Sequence, residues 1–245
     1  MPRILLTNDD GIGAPGLVAL ESAFADAGEV YVAAPSTEQS ATSRAITLRQ
    51  PLRFHEQGTR RWAVDGTPAD TVMIALNRIL DFRPDIVVSG INNGPNLGEN
   101  IFYSGTVAAA AEAAKYGIPA VAVSVDARSG VDFAGSAEFA VKLVRRILHD
   151  GLPPGVALNV NIPYPEPRGV AITRQSQKIA RSLVVESHDP RGRPYYWMHD
   201  DPPFADAEPG SDYAAVRDGM ISVTPLRFDP TAFDLIAPLA VLTKL

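Results

Sequence analysis

The sequence predicts an α/β fold, a doubly wound and mostly parallel sheet with helices on its faces. Three observations carry that prediction. Apolar runs that read as fully buried strands recur at Ile4–Leu6, Val30–Ala34, Ile86–Val88 and Ala120–Val125. Segments of helical period lie between them. The polar, Gly- and Asn-containing stretches follow the carboxyl ends of the strands, where open α/β sheets place their ligands. The chain of 245 residues reads as a single domain, regular over 1–162 and irregular over 163–245.

Each element has a local reason. Arg3 to Thr7 is a strand that ends abruptly in Asn8, Asp9, Asp10 and Gly11. Pro15-Gly16 opens a helix whose apolar face is Leu17, Leu20, Ala23 and Phe24, and Gly28 stops it. The second strand ends at Pro35 and releases a polar loop, Ser36 to Ser43, onto the same rim as the two aspartates. Ala45–Leu48 and Trp62–Val64 read as short strands of a hairpin rising from the sheet. Thr67 is a candidate N-cap with Pro68 and Asp70 at the first and third helical positions. Asp85 to Ser89 is a further buried strand that opens into a loop, Gly90 to Gly98, rich in Gly and Asn. The Ala-rich run from Val107 to Lys115 is a strong helix former, with Ser104, Gly105 and Thr106 at its start. A helix over Phe133 to Leu148 and a strand over Val156 to Ile162 follow. Beyond Pro163 prolines become frequent, and Arg168, Arg174, Lys178, Arg181, Arg191 and Arg193 make the segment locally basic. Asp189 to Trp197 joins turn residues to an aromatic cluster, and Thr231 to Leu242 reads as a final amphipathic helix.

Composition excludes several functions. A net charge of -6 argues against a nucleic-acid polymer as partner, because phosphate backbones require clustered cations. The absence of cysteine removes disulfides, thiolate metal sites and cysteine nucleophiles together. No apolar run is long enough to span a bilayer and no signal segment is evident, so a soluble cytoplasmic protein is expected, without a membrane partner. The four histidines show no paired ligand spacing, and neither a Gly-x-Ser-x-Gly elbow nor a phosphate-binding P-loop occurs. Gly11, Gly13 and Gly16 match a dinucleotide fingerprint, but two carboxylates directly before it would repel a pyrophosphate. The glycines read better as a tight strand-to-helix turn.

The chemistry that remains is that of an oxygen-ligated cation. Adjacent aspartates repel one another, and a fold that fixes them together gains from a bound cation. Asp9, Asp10, Ser40 and Asn92 are all oxygen donors, a set suited to Mg²⁺, Mn²⁺ or Ca²⁺ rather than Zn²⁺. Asn96, Ser104 and Thr106 are placed to hold a phosphoryl group, with Gly105 between the two hydroxyls at a helix start that favours anions. For each Ser and Thr, capping or loop solvation is the competing structural role. The reaction class suggested is metal-assisted hydrolysis of a phosphate ester, with Asp9 a ligand and Asp10 a ligand or a base.

The stretch Arg3 to Ile12, then Ala14-Pro-Gly, resembles the start of the SurE family of metal-dependent survival-protein nucleotidases. The resemblance continues through Val32-Ala-Ala-Pro, the Ser40 loop and Gly66-Thr-Pro-Ala-Asp. It is strongest in Val87-Val-Ser-Gly-Ile-Asn-Asn-Gly-Pro-Asn-Leu-Gly and Tyr103-Ser-Gly-Thr-Val-Ala-Ala-Ala. Later echoes are Asp189-Pro-Arg-Gly, Asp212-Tyr-Ala-Ala-Val and Ser222-Val-Thr-Pro-Leu. The resemblance implies a phosphomonoesterase, a 5′-nucleotidase acting on nucleoside 5′- and also 3′-monophosphates. It implies one divalent cation per subunit, Mg²⁺ or Mn²⁺, held by Asp9, Asp10, Ser40 and Asn92. Phosphate would be received by Asn96, Ser104, Gly105 and Thr106. It further implies a three-layer α/β/α sandwich with a projecting hairpin and a swapped C-terminal segment, assembled as a homodimer or homotetramer. Asn93 beside Asn92 leaves the choice of ligand between the two open. A broader phosphatase or exopolyphosphatase, and a nucleotide-binding regulatory module without turnover, are the alternatives.

Overall fold

The computed structural model describes residues 1–127, 130–177, 181–201 and 207–244. In chain order the elements are β1 (Arg3–Thr7), α1 (Pro15–Phe24), β2 (Glu29–Pro35), β3 (Phe54–Gly58), β4 (Arg61–Val64) and α2 (Pro68–Ile74), which runs into a π-helical turn at Ala75–Ile79. Next come β5 (Ile86–Asn93), a 3₁₀ turn at Gly98–Phe102, α3 (Gly105–Lys115), β6 (Ala120–Asp126), α4 (Ala134–Asp150) and β7 (Val156–Pro163). The remainder is β8 (Gly169–Ile172), β9 (Arg181–His188), β10 (Pro194–Asp201), α5 (Asp212–Arg217), β11 (Met220–Arg227), α6 (Phe233–Leu239) and a 3₁₀ turn at Ala240–Lys244.

Nine strands form one sheet in the order β3-β4-β2-β1-β5-β6-β7-β11-β8, and its centre, β4-β2-β1-β5-β6-β7, is parallel throughout. Alternation along the strands splits the core in two. Ile4, Leu6, Ile86, Val88, Val121 and Val160 pack with α1 and α4 on one face. Leu5, Val87, Ala120, Ala122 and Ala157 pack under α2 and the Ala-rich α3 on the other. The result is a three-layer α/β/α sandwich. The chain leaves β1 toward β2 on one side and later returns to β5 on the other. The strand order therefore reverses between β1 and β5, which opens a crevice at their carboxyl ends.

Two sequence expectations are corrected. Ala45–Leu48 is not a strand. The Thr47 N–H and hydroxyl both donate to Asp70, at 2.9 and 2.7 Å, and Ala45 offers its carbonyl to the Thr67 hydroxyl. With its polar groups bound to side chains, the segment has no need of a ladder. The hairpin at this end is β3 with β4, and it extends the main sheet at its edge, since β4 pairs with β2. The hairpin that stands apart is β9 with β10 around the Asp189–Gly192 turn, a separate two-stranded sheet. The regular sheet also does not end at residue 162. β11 pairs antiparallel with β7, and β8 lies outside it.

The capping expectation is met in full. Thr67 accepts from the Asp70 N–H at 3.1 Å while the Asp70 carboxylate accepts from the Thr67 N–H at 3.0 Å, with Pro68 at the first helical position. The final helix is shorter than its pattern, carries Pro238 inside it and buries no side chain. In the basic segment, Arg193 pairs with Asp189 and Arg174 with Glu208; Lys178 lies outside the described residues.

The approach of α1 to the sheet requires glycine. A Cβ on Gly16 would lie 2.0 Å from the carbonyl oxygen of Ile91. Gly16→Ala should therefore destabilise the fold by about 3 kcal/mol or more, far beyond the ~1 kcal/mol that alanine contributes to a helix. Urea denaturation checks this, and a stability equal to or above wild type would contradict the packing described.

Candidate active site

Four segments converge on the crevice. The turn after β1 is shaped by Asn8, whose amide donates to the Gly11 carbonyl at 2.9 Å and accepts from the Gly11 N–H at 3.2 Å. This closed turn aims Asp9 and Asp10 out of the end of the sheet. The loop after β2 is drawn onto the same spot by two main-chain bonds, from the Gln39 N–H to the Asp9 carbonyl at 2.7 Å and from the Ile12 N–H to the Pro35 carbonyl at 2.8 Å. β5 continues through Asn93 with an irregular step after Ser89, which sets Asn92 opposite Ser124. The fourth segment is the start of α3.

Asp9 is buried and forms the junction. It accepts a hydrogen bond from the Thr106 hydroxyl, with the Thr106 main chain also favouring its charge, so it occupies the positive end of α3. Gly105 allows this approach, because a Cβ there would lie 2.7 Å from the Asp9 Cβ. Burial raises the Asp9 carboxyl above its ordinary range, and the Thr106 bonds pull against that rise. Asp10 is partly exposed and accepts from the Asn93 N–H. Its carboxyl is pushed up to about 6, first by burial and then by the charges of Asp9 and Glu38. None of the ion pairs among the described residues involves Asp9, Asp10 or Glu38.

The neutral members stand around this charge. Ser40 donates to Glu38 at 2.8 Å, which ties its hydroxyl to the acidic group. Asn92 donates through Nδ2 to the Gly94 carbonyl at 2.7 Å, which leaves its amide oxygen as the atom suited to a cation. Ser104 caps α3, accepting from the Val107 N–H at 3.1 Å, and its own O–H is not needed for that bond. Asn96 is buried and held from several sides. Its amide donates to Ser124 Oγ at 2.8 Å, its N–H donates to Asn161 Oδ1 at 2.7 Å, and its carbonyl accepts from Asn159 and Asn161.

Residues 4–182 match the family model of the survival protein SurE. The chain belongs to the SurE family. It is 50% identical over 242 residues to the 5′-nucleotidase SurE of Geotalea daltonii, covering 97% of each chain. It is 53% identical over 232 residues to the 5′-nucleotidase SurE of Myxococcus xanthus, covering 94% of this chain and 88% of that one. The crystal structure of the SurE protein from Aquifex aeolicus superposes with a TM-score of 0.90 at 41% identity, covering 99% of this chain and all of that one.

Within this SurE fold the site residues divide by how they are joined. Asp9, Gly105 and Thr106 are in direct contact. Asp10 is bonded to the main chain beside Asn92, and Ser40 is linked through Glu38 to the charges of both aspartates. Four contributors escaped the sequence. Glu38 lay within a loop read for its hydroxyls. Asn8 is a turn former whose role appears only when Gly11 folds back on it. Asn159 and Asn161 sit in an apolar strand run, and two asparagines at alternate positions of a buried strand were the available signal. Among the described residues no three His, Cys, Asp or Glu side chains form a metal cluster. The donor set, two aspartates and two neutral oxygens beside an unpaired Glu38, fits a hard divalent ion and not a thiophilic one.

Thr106→Val removes the hydroxyl donor from a buried carboxylate while keeping the side-chain volume. It should cost about 1–3 kcal/mol of stability in the metal-free protein at neutral pH. Urea denaturation in the presence of a chelator measures it, and an unchanged midpoint would contradict the role of this bond.

Proposed function

We propose that this chain is a divalent-cation-dependent 5′-nucleotidase that hydrolyses the phosphomonoester of nucleoside 5′-monophosphates, and also 3′-monophosphates, to nucleoside and phosphate. Membership of the SurE family and the near full-length relatives named 5′-nucleotidase SurE support the nucleotidase activity. The observation that supports the mechanism is the meeting of Asp9 with the start of α3, with Asp10 next to Asp9, which would set cation ligands beside anion donors.

Asp9, Asp10, Ser40 and Asn92 would hold one Mg²⁺ or Mn²⁺. When bound, the ion would offset charge on the phosphoryl oxygens and lower the pKa of a water. The chain's own groups do the rest. The Thr106 hydroxyl holds Asp9 through a hydrogen bond, so the carboxylate is oriented before any ligand arrives. The N–H of Gly105, in the first turn of α3, lacks an acceptor within the helix and is free to face a phosphoryl oxygen. Ser104 keeps its hydroxyl proton for the same purpose, and Asn96 keeps one of its two amide protons after donating to Ser124. Asp10, raised to about 6 by burial and its acidic neighbours, is the candidate to take the proton of an attacking water, with Asp9 or the cation alone as the other options.

The chain is expected to act as a homodimer or homotetramer. The support is the exposed apolar surface of the β9–β10 hairpin, with Val184, Trp197 and Met198, and of α6, with Phe233, Ile236 and Leu239. A cytoplasmic location is the reading in keeping with the cysteine-free sequence, and no helix among the described residues is long and apolar enough to cross a membrane.

Chelation by EDTA should abolish release of phosphate from nucleoside monophosphates, and Mn²⁺ or Mg²⁺ should restore it. Asp9→Asn should lose roughly a hundredfold or more in kcat while keeping a native circular dichroism spectrum. Turnover that survives full chelation, or wild-type turnover in Asp9→Asn, would refute the mechanism. A panel with sugar phosphates and short polyphosphate separates a nucleotidase from a broader phosphatase, and tight nucleotide binding without phosphate release would identify a regulatory module.

A further inference from the structure

We propose that a cleft of about 450 Å³ beside the first turn of α3 receives the nucleoside half of the substrate, with the Phe102 ring as the surface on which the base stacks. This rests on the nucleotidase reading and names the part of the site that recognises the base.

The cleft and the proposed phosphate-binding turn share α3, since Val107 and Ala108, which line the cleft, follow Thr106 directly. Ser104 is the N-cap of α3, and Ala108, one turn above it on the same side of the helix, lies in the wall of the cleft with Val107. The small side chain of Ala108 leaves the space open. Phe102 stands two residues before Ser104 and lines the same cleft, yet the residue is 66% exposed. Its backbone is nevertheless fixed. The Ser43 hydroxyl donates to the Phe102 carbonyl at 2.6 Å, and the Ser43 N–H donates to the Tyr103 carbonyl at 3.0 Å. These bonds tie the main chain that carries Phe102 to the loop that carries Ser40. Phe102 enters no ring–ring or cation–π pair among the described residues. Phe228 across the cleft differs, since the Arg44 guanidinium lies 5.4 Å from its ring centre. Arg44 and Gln175 add polar groups at the edge, able to meet ribose hydroxyls or the rim of a base. The volume is within the range of small-ligand sites, and stacking is tolerant of base identity because every base offers a π-face.

The test compares adenosine 5′-monophosphate with ribose 5-phosphate, which has the same reacting group and no base, on the full chain with saturating Mn²⁺. In Phe102→Ala, kcat/KM for the nucleotide should fall roughly tenfold or more while that for ribose 5-phosphate stays within about twofold of wild type. Phe102→Tyr, which keeps the ring, should keep the wild-type ratio. An unchanged ratio in Phe102→Ala overturns the proposal, and so does an equal loss on both substrates, which would make Phe102 a support of the phosphate turn. An unchanged ratio with an altered elution volume on size-exclusion chromatography also overturns it, by assigning the ring to a subunit contact. Failure of the wild-type chain to hydrolyse either substrate would instead refute the nucleotidase reading on which the base site rests.

Discussion

Taking the Asp9 carboxylate out of water is unfavourable unless something replaces its hydration, and the surroundings of Asp9 are arranged to do so. The Thr106 hydroxyl donates to it, the positive end of α3 lies beside it, and Gly105 removes the one side chain that would hold the helix away. The same helix must therefore cross the sheet at one height and in one orientation. Its Ala-rich face makes that possible, since small side chains let it settle on Leu5, Val87 and Ala122. The charge is only partly offset. Asp10 and Glu38 add like charges at the same end of the sheet, and a divalent cation would relieve that repulsion.

The strand order supplies the space. Because it reverses between β1 and β5, the loops that leave those strands diverge and a crevice stays open between them. Holding such loops requires internal bonds, and the structure provides them from below. Asn159 and Asn161, on β7, grip the main chain at Asn96. Asp212, fully buried at the start of α5, accepts from the Gly98 N–H at 2.8 Å and the Ser176 N–H at 3.0 Å. The C-terminal third thus braces the loop that carries the proposed phosphate donors, although it contributes none of the proposed ligands itself.

That division of labour explains why the region beyond residue 163 misled a reading by texture. Its prolines and charges break the β-α rhythm, yet β11 lies against β7 inside the main sheet. An antiparallel strand returned from a distant part of the chain has no local signature that distinguishes it from an edge piece or a hairpin. The misplaced strand at Ala45–Leu48 is the converse case. Alternating apolar residues suggested pairing, but side chains of Thr67 and Asp70 satisfied the backbone instead.

What the sequence determined by itself was local. Strand ends at Thr7 and Pro35, the helix starts at Pro15, Pro68 and Gly105, and the capping box of Thr67 and Asp70 all follow from hydrophobic period, proline and capping chemistry within a few residues, whereas β5 runs past the expected end at Ser89 to Asn93. The placing of Asp9, Asp10 and Ser40 past strand ends was legible for the same reason, whereas Asn92 lies inside β5. Only the tertiary structure decided which of those groups touch. Thr106 lies 97 residues from Asp9 and Asn161 lies 65 from Asn96. Contacts of that separation depend on crossing heights and strand order, which no local pattern encodes. Asp9 and Asp10, conspicuous in the sequence as a pair, are told apart only in the fold: one is buried at the head of α3 and fixed by Thr106, the other stands partly in solvent beside Glu38.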